Sequence, residues 1–588
     1  MNLNQFLKQV DSLTEKMPKE ELAAAIRRIA NDWPESERQD FLKDLETKKH
    51  ETSGSSGKEM KKALADIEKK LDLIEQEELC LNSKMNEEYD DWYNSAAEEF
   101  FFFDPEHVTD ILEDAFEMAH SLMDHEMYEE AYSLSRRLLE LQVQIDGDYA
   151  DYVDPYLNWK ELRSEKLISI QEDRFIREML YAAYQVLPLQ ERVPVLFWIM
   201  QQGQASKANL EMILQTAGGK LPQMEEFLGE WIKYLGTQDG NLAGKLLKEA
   251  LEFLESPSRS LQAARSFASR HPELYEDILQ KGKGSGQNAE MLSIGFQALE
   301  DIQVDYKARS RVALLTAEYA LHMGSQEKAE FCWLEAFRSD PGIVNFLRLM
   351  TESRNFEPYQ KETMEIYLSC RNAPISSSTS LSEYEKPEKR SLGSNTYYAL
   401  EFFNKHFDQV LTKGMNISGS LGWSSTFMKE GIALFLLSLY PEDDLPPGCQ
   451  AMCRKIVSGL SFDSEKYSKG LILPADTDSC LLFMKCLTQW KKGLTLTPDQ
   501  QNKLIKKLEN WIEKRVEGIM EANRRNYYGE CASFIAALGE VKESMGEKNG
   551  KERLMETYAN AYPRRRSFHE ELRRFGMRDM RKSTSRKR

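Results

Sequence analysis

Apolar residues along this chain recur mostly three and four positions apart, the spacing that lays a single stripe along a helix. Leu3, Phe6, Leu7, Val10 and Leu13 make the first stripe. Pro18 opens a second helix with Leu22, Ile26, Ile29 and Trp33, and Pro34 a third with Phe41, Leu42 and Leu45. Residues 1–48 therefore predict a small three-helix domain. Residues 49–58, KHETSGSSGK, carry no large apolar side chain and predict a flexible linker. From 59 a charged helix presents Met60, Ala63, Leu64, Ile67, Leu71 and Ile74, a repeat too short to demand a coiled coil, so a packed edge helix is expected. Then comes a hairpin of 107–122 and a helix starting Tyr128-Glu-Glu-Ala131 with Leu134, Leu138, Leu139 and Leu141, which closes a segment of 59–150. Further stripes, such as Phe227, Leu228, Trp231, Ile232 and Leu235, make 151–375 a helical array, since stacked helix pairs bury single stripes economically. Residues 376–393, rich in Ser, Glu and Lys, predict a mobile loop, and 394–562 predict further hairpins, including 397–411 with 427–440 and a last one, 528–558, expected to cap the array.

The best-formed hairpin is 311–350. Gly324, Ala329, Trp333, Ala336 and Pro341 stand at offsets 0, 5, 9, 12 and 17. Small residues one turn apart let two helices approach, the indole fills the gap beside them, and the proline stops the second helix. This register resembles the tetratricopeptide repeat, a helical hairpin that stacks into solenoids gripping other proteins. The resemblance implies an all-α fold, an irregular tetratricopeptide-like α-solenoid behind the three-helix domain. It also implies that the first helix of each hairpin faces a groove, which points to exposed members of 309–322 and 106–125, with Arg309, Arg311, Glu318 and His322 as candidate partner contacts. The 107–143 hairpin is a degenerate copy, with Ser135 and Val143 where a bulky residue and a proline are expected.

Composition narrows the class. Hydrophobic residues are 41% and charged residues 29% of 588, as in folded soluble chains, while Gly (31) and Pro (19) are scarce, which favours helix throughout. No apolar run approaches the roughly 20 residues of a spanning helix, and MNLNQFLKQVDSL reads as an amphipathic helix, so a cytoplasmic protein with no membrane partner is expected. Eight dispersed cysteines are no disulfide framework and read as reduced core thiols.

Local chemistry is sparse. Glu113, Glu117, His120 and Asp124 share one helical face, and Glu117-x-x-His120 has the spacing of di-metal carboxylate bundles; no second such helix accompanies it, so a solvated acidic face is expected. Cys449-x-x-x-Cys453 and Cys480-x5-Cys486 lack zinc-knuckle spacing, and KGKGSGQ at 281–287 lacks the phosphate-loop order. No metal or cofactor is expected. No H-E-x-x-H, G-x-S-x-G or kinase signature occurs, which leaves an enzyme only the route of a site assembled in three dimensions.

The net charge of −19 is unevenly spread: from 564 to the end eleven Lys and Arg face three acids, a local +8 that leaves −27 for the rest. In this basic tail, 563–588, Phe568, Leu572 and Phe575 make an apolar seam that docks, and Arg564, Arg565, Arg566, Arg573 and Arg574 are candidate contacts to a protein or to nucleic-acid phosphates. The stretches LIEQEELCLNSKMNEEYDDWY, DPEHVTDILEDAFEMAHSLMDHEMYEEAYSL, SLGWSSTF and NRRNYYGECASFIAALGEV together resemble uncharacterised bacterial helical-repeat proteins related to SWIM zinc-finger proteins. The C-x-C and C-x-H of the finger are missing from 1–104, so metal-dependent nucleic-acid binding does not carry over. The expected function is a scaffold presenting a helical groove to a protein or peptide. A nucleic-acid-associated protein acting through the basic tail is the alternative.

Overall fold

A computed structural model of the chain describes residues 17, 56–85, 100–146, 154–203, 207–254, 256–370, 392–416, 419, 421–423, 426–472 and 477–578. The expected three-helix domain apart from residue 17, most of the linker, most of the 376–393 loop and the tail beyond 578 lie outside the described residues. Helix accounts for 72% and strand for 3%, as the all-α expectation requires. The chain forms two compact units, Met1–Gln238 with Leu242–Ser256, and Asp239–Asn241 with Pro257–Arg588.

The first unit runs α1 (Ser56–Glu75), α2 (Val108–Asp124), α3 (Tyr128–Glu140), α4 (Trp159–Ser164), α5 (Glu172–Val186), α6 (Leu189–Gln202), α7 (Leu210–Thr216), α8 (Met224–Thr237) and α9 (Asn241–Leu254). α1 is the expected edge helix, though it starts within the last residues of the expected linker. It buries Leu64, Leu71 and Ile74, and Arg137 of α3 donates to Glu75 at 2.8 Å and Asp72 at 2.6 Å. Asp104 starts α2 by accepting from the Val108 and Thr109 N–H groups at 2.8 and 2.7 Å, which satisfies orphan donors of the first turn. α2 packs on α3, α3 on α5, and α5 on α6 and α7.

A small sheet, absent from the sequence reading, interrupts this unit. β1 (Leu81–Met85), β2 (Phe100–Phe103), β3 (Gln142–Asp146) and β4 (Tyr156–Asn158) lie in the order β2-β1-β3-β4. β1 runs antiparallel to β2, with Asn82 opposite Phe103, and parallel to β3, with Leu81 opposite Ile145; Val143 of β3 faces Leu157 of β4. The physical cause is a change of period. Leu141, Val143 and Ile145 alternate with Gln142, Gln144 and Asp146, and the three apolar side chains are buried. Val143 therefore stands where the chain has left the hairpin for a strand.

The second unit holds α10 (Pro257–Phe267), α11 (Glu273–Lys281), α12 (Asn288–Asp301), α13 (Lys307–His322), α14 (Gln326–Ser339), α15 (Ile343–Glu352), α16 (Glu357–Cys370), α17 (Ser394–Phe403), α18 (Met428–Leu439), α19 (Pro447–Gly459), α20 (Ser464–Ser468), α21 (Ser479–Lys491), α22 (Pro498–Glu521), α23 (Tyr528–Ser544), α24 (Gly550–Ala561) and α25 (Arg566–Arg574). The 311–350 hairpin is α13 and α14. Gly324 adopts φ 70°, which lets the Ser325 N–H reach the Ala320 carbonyl at 2.8 Å and close the helix end. Ala329, Trp333 and Ala336 are buried in the helix contact, and α14 ends two residues before Pro341.

Two expectations are corrected in this unit. The helix expected over 397–411 stops at Phe403, because Asn404 bonds back to the Leu400 carbonyl at 2.9 Å and Lys405 takes φ 65°; a π-helical turn, Val410–Gly414, follows. The hairpin expected to cap the array does not present a polar face along α23, whose residues 531–541 are all buried. α23 packs on α19, α22, α24 and α25 and belongs to the core, where Phe402 also meets Phe435 and Trp490 with ring centroids 5.0 Å apart.

Candidate functional site

In the first unit a cleft of about 280 Å³ opens between α2 and α5, the first helices of two successive hairpins. The i, i+4 and i+7 spacing of α2 places Glu113, Glu117 and His120 on its wall. α5 answers with Arg174, Phe175 and Glu178, and the turn before it contributes Ser169, Ile170 and Gln171. Phe116 and Phe175 make an apolar floor, edge to face at 4.8 Å. Glu178 is the hub of the wall: its Oε1 lies 2.9 Å from His120 Nδ1 and accepts from Arg174 Nε at 3.1 Å. The other ring nitrogen of His120 is 3.5 Å from Asp124, so both ring nitrogens face carboxylates of the protein. Glu113 accepts from the Ser169 N–H at 2.6 Å, fixing the turn over the cleft, and Glu117 is exposed. Among the described residues no group of three or more His, Cys, Asp or Glu is placed to hold a metal ion. With Glu113, Glu117 and Glu178 against Arg174, the wall is net acidic around an aromatic floor. That chemistry suits a cationic group on an alkyl stem.

The groove expected on α13 is not open. Trp333 Nε1 donates to the Gly470 carbonyl at 2.8 Å, Glu318 accepts from the Gly470 N–H at 3.1 Å, and Arg348 grips the Lys466 and Tyr467 carbonyls. The chain's own 466–470 segment thus covers this face. Arg309 is corrected from a surface contact to a core residue. It is 8% exposed, paired with Glu335, and donates to the Leu299 carbonyl at 2.9 and 3.2 Å. Arg311 is half-buried against Glu276 at 2.9 Å, and Glu318 also pairs with Lys283 at 2.5 Å. Of the four, His322 is the exposed one.

The basic end behaves differently. Phe568 and Leu572 are fully buried and dock α25, as the apolar seam requires. Arg565 donates to Asn523 Oδ1 at 2.5 Å and to the Met520 carbonyl at 2.8 Å, which draws the 564–566 arginines to the turn holding Arg524 and Arg525. Arg564, Arg566, Arg573 and Arg574 are exposed, and Arg574 pairs with Glu571 at 2.8 Å.

Elsewhere the buried chemistry is structural. Burial pushes the Cys332 and Cys531 thiols up to about 12 and raises those of Cys449, Cys453 and Cys486, as expected of core thiols. Glu530 is held below the usual carboxylate range, despite its burial, by Lys455, Lys429 and Arg515; Arg515 Nη2 donates to it at 2.9 Å while lying over Trp423. Burial lifts Glu249 to about 7 even though it accepts from the Leu210 and Glu211 N–H groups at the start of α7. No described helix is long and apolar enough to cross a membrane. Compared with protein families, curated proteins and solved structures, the chain has no match.

The sequence reading marked the α2 wall, Glu113, Glu117 and His120, but not its partner. Arg174, Phe175 and Glu178 sit in a stretch, EDRFIREML, whose polar face carries no motif.

Proposed function

We propose that the protein is an interaction scaffold built of tetratricopeptide-like hairpins, and that the cleft between α2 and α5 receives a basic segment of a protein partner. One observation carries this reading: the cleft lies between the first helices of successive hairpins, where a groove of this kind is lined, and the acidic wall and phenylalanine floor complement a Lys or Arg side chain. Glu117 is the exposed carboxylate that such a side chain meets first, while the Glu178 pairing with His120 and Arg174 keeps the wall in shape. A photo-crosslinking residue at position 117, with mass spectrometry of the captured peptide from the source cell, tests this directly. The expected product is a stoichiometric partner crosslinked next to a Lys or Arg, and Glu117→Lys is expected to weaken its capture roughly tenfold, the scale of one charge contact. A capture unchanged by Glu117→Lys, or no crosslink at 117, overturns the reading.

A further inference from the structure

An inversion of charge distinguishes one corner of the second unit. In a chain of net −19, the fold brings Arg524 and Arg525, at the turn between α22 and α23, beside Arg564, Arg565 and Arg566 at the start of α25. These two arginine runs are 40 residues apart in sequence. Arg565 is the clasp, bonded to Asn523 and to the Met520 carbonyl, and it is the member of the set turned inward. Arg524, Arg525, Arg564, Arg566 and Arg573 are exposed, and among the described residues they take part in no ion pair. Arg566 and Arg573 stand two turns apart on one face of α25, about 10 Å along its axis. The acids near this corner are Glu513, Glu517 and Glu521 of α22, which act on Tyr562, and Glu570 and Glu571 of α25; Glu571 is already engaged by Arg574 at 2.8 Å, and Arg578 reaches Glu552 at 3.4 Å. Cations outnumber the free carboxylates at this corner.

What such a corner binds is narrowed by what it lacks. A protein partner is anchored mainly by large apolar and aromatic side chains at the centre of the patch, with charge at the rim. The exposed large hydrophobics of the described residues, such as Met323, Phe331, Leu368 and Leu481, all lie outside 520–527 and 564–578. Single-stranded nucleic acid calls for exposed aromatic platforms, and Tyr527 and Tyr562 at this corner are half-buried. Guanidinium groups match phosphate oxygens in a two-pronged geometry that an ammonium does not offer, and every cation named here is arginine. We propose that this corner grips the phosphate backbone of double-stranded nucleic acid without reading base sequence. The surface is independent of the α2–α5 cleft.

Fluorescence anisotropy with the full-length protein and a labelled 20-base-pair duplex, across a salt series, tests it. With about four phosphates engaged, the logarithm of the binding constant is expected to fall with the logarithm of salt with a slope of about −4. Arg524→Ala with Arg525→Ala is expected to make the slope shallower by about 2 and to weaken binding at least tenfold at low salt, with an unchanged thermal melt. A second full-length variant with Arg581, Lys582, Arg586, Lys587 and Arg588 changed to Gln is expected to keep the larger part of the slope. Three results overturn the proposal: no duplex binding at low salt, binding lost in the tail variant but intact in the Arg524 and Arg525 variant, or displacement of the duplex by polyglutamate as readily as by unlabelled duplex. Tighter binding of the single strand than of the duplex overturns it as well.

Discussion

Glu249 shows how one side chain sets two opposing terms. Its carboxylate accepts N–H bonds from Leu210 and Glu211 at 3.1 and 3.0 Å, which favours the charged form, yet desolvation outweighs them and raises it from 4.5 to about 7. The native state therefore holds a proton that the unfolded chain releases between about pH 4.5 and 7, so the stabilisation is complete below 4.5 and is lost as pH rises through 7. The slope is at most about 1.4 kcal/mol per pH unit in that window. Urea denaturation is expected to show the wild type losing stability relative to Glu249→Gln as pH rises from 5 to 8. An identical pH dependence in both proteins means the carboxylate is solvated. Trp333 is governed by packing instead: it is 1% exposed, and its indole N–H bonds to the Gly470 carbonyl. Trp333→Phe keeps most of the apolar volume but orphans that carbonyl, so a loss of about 1–3 kcal/mol is expected, and a melt unchanged from wild type contradicts the closure of the α13 face by 466–470.

At the scale of elements, two glycines at helix ends carry different constraints. Gly324 has φ 70° and open space where a Cβ would sit, so Gly324→Ala costs only the left-handed backbone, about 1–2 kcal/mol. Gly448 has an ordinary φ, but a Cβ there falls 2.5 Å from the Ala537 nitrogen, and its N–H is one of two that Glu540 accepts at the start of α19. The obstacle is backbone and cannot turn aside. Gly448→Ala is expected to lower the melting temperature more than Gly324→Ala, and the reverse order contradicts the close α19–α23 contact. Gly324 was legible in sequence because the turn is local. Gly448 was not, because its neighbour is α23, about ninety residues on. The same division runs through the fold: stripes of three and four spacing announced α2, α3, α13 and α14, whereas the 141–146 strand depended on a period of two over six residues, and its partners β1 and β4 lie elsewhere in the chain. The cleft was half legible for the same reason. Its α2 wall follows from one helical face, but the meeting of His120 with Glu178 is a contact across 58 positions, and the closure of α13 by Gly470 one across 152.

For the whole molecule, two units with separate cores imply separate unfolding steps, and the cysteines mark one of them. Cys332, Cys370, Cys449, Cys453, Cys486 and Cys531 are buried in the second unit, Cys480 there is partly exposed, and Cys80 alone lies in the first. Burial disfavours the thiolate, the form that reacts, so in native protein a thiol reagent is expected to modify at most Cys80 and Cys480 quickly, and all eight after denaturation. Pulsed alkylation against urea, resolved by peptide mass, then reads the second unit alone, while helical circular dichroism reads both. Four of the buried thiols, Cys449, Cys453, Cys486 and Cys531, sit in one hydrophobic core that runs from Phe337 to Leu572, so these four are expected to become reactive together over one narrow urea range. Helix loss outside that range belongs to the first unit, and the share of its pH dependence that Glu249 sets is expected to vanish in Glu249→Gln. Thiols that open in sequence rather than together would mean that the second unit unravels hairpin by hairpin, as a stack of independent repeats does. One shared step instead would tie its helices into a single cooperative core, with the 466–470 segment that seals α13 as one of its fastenings.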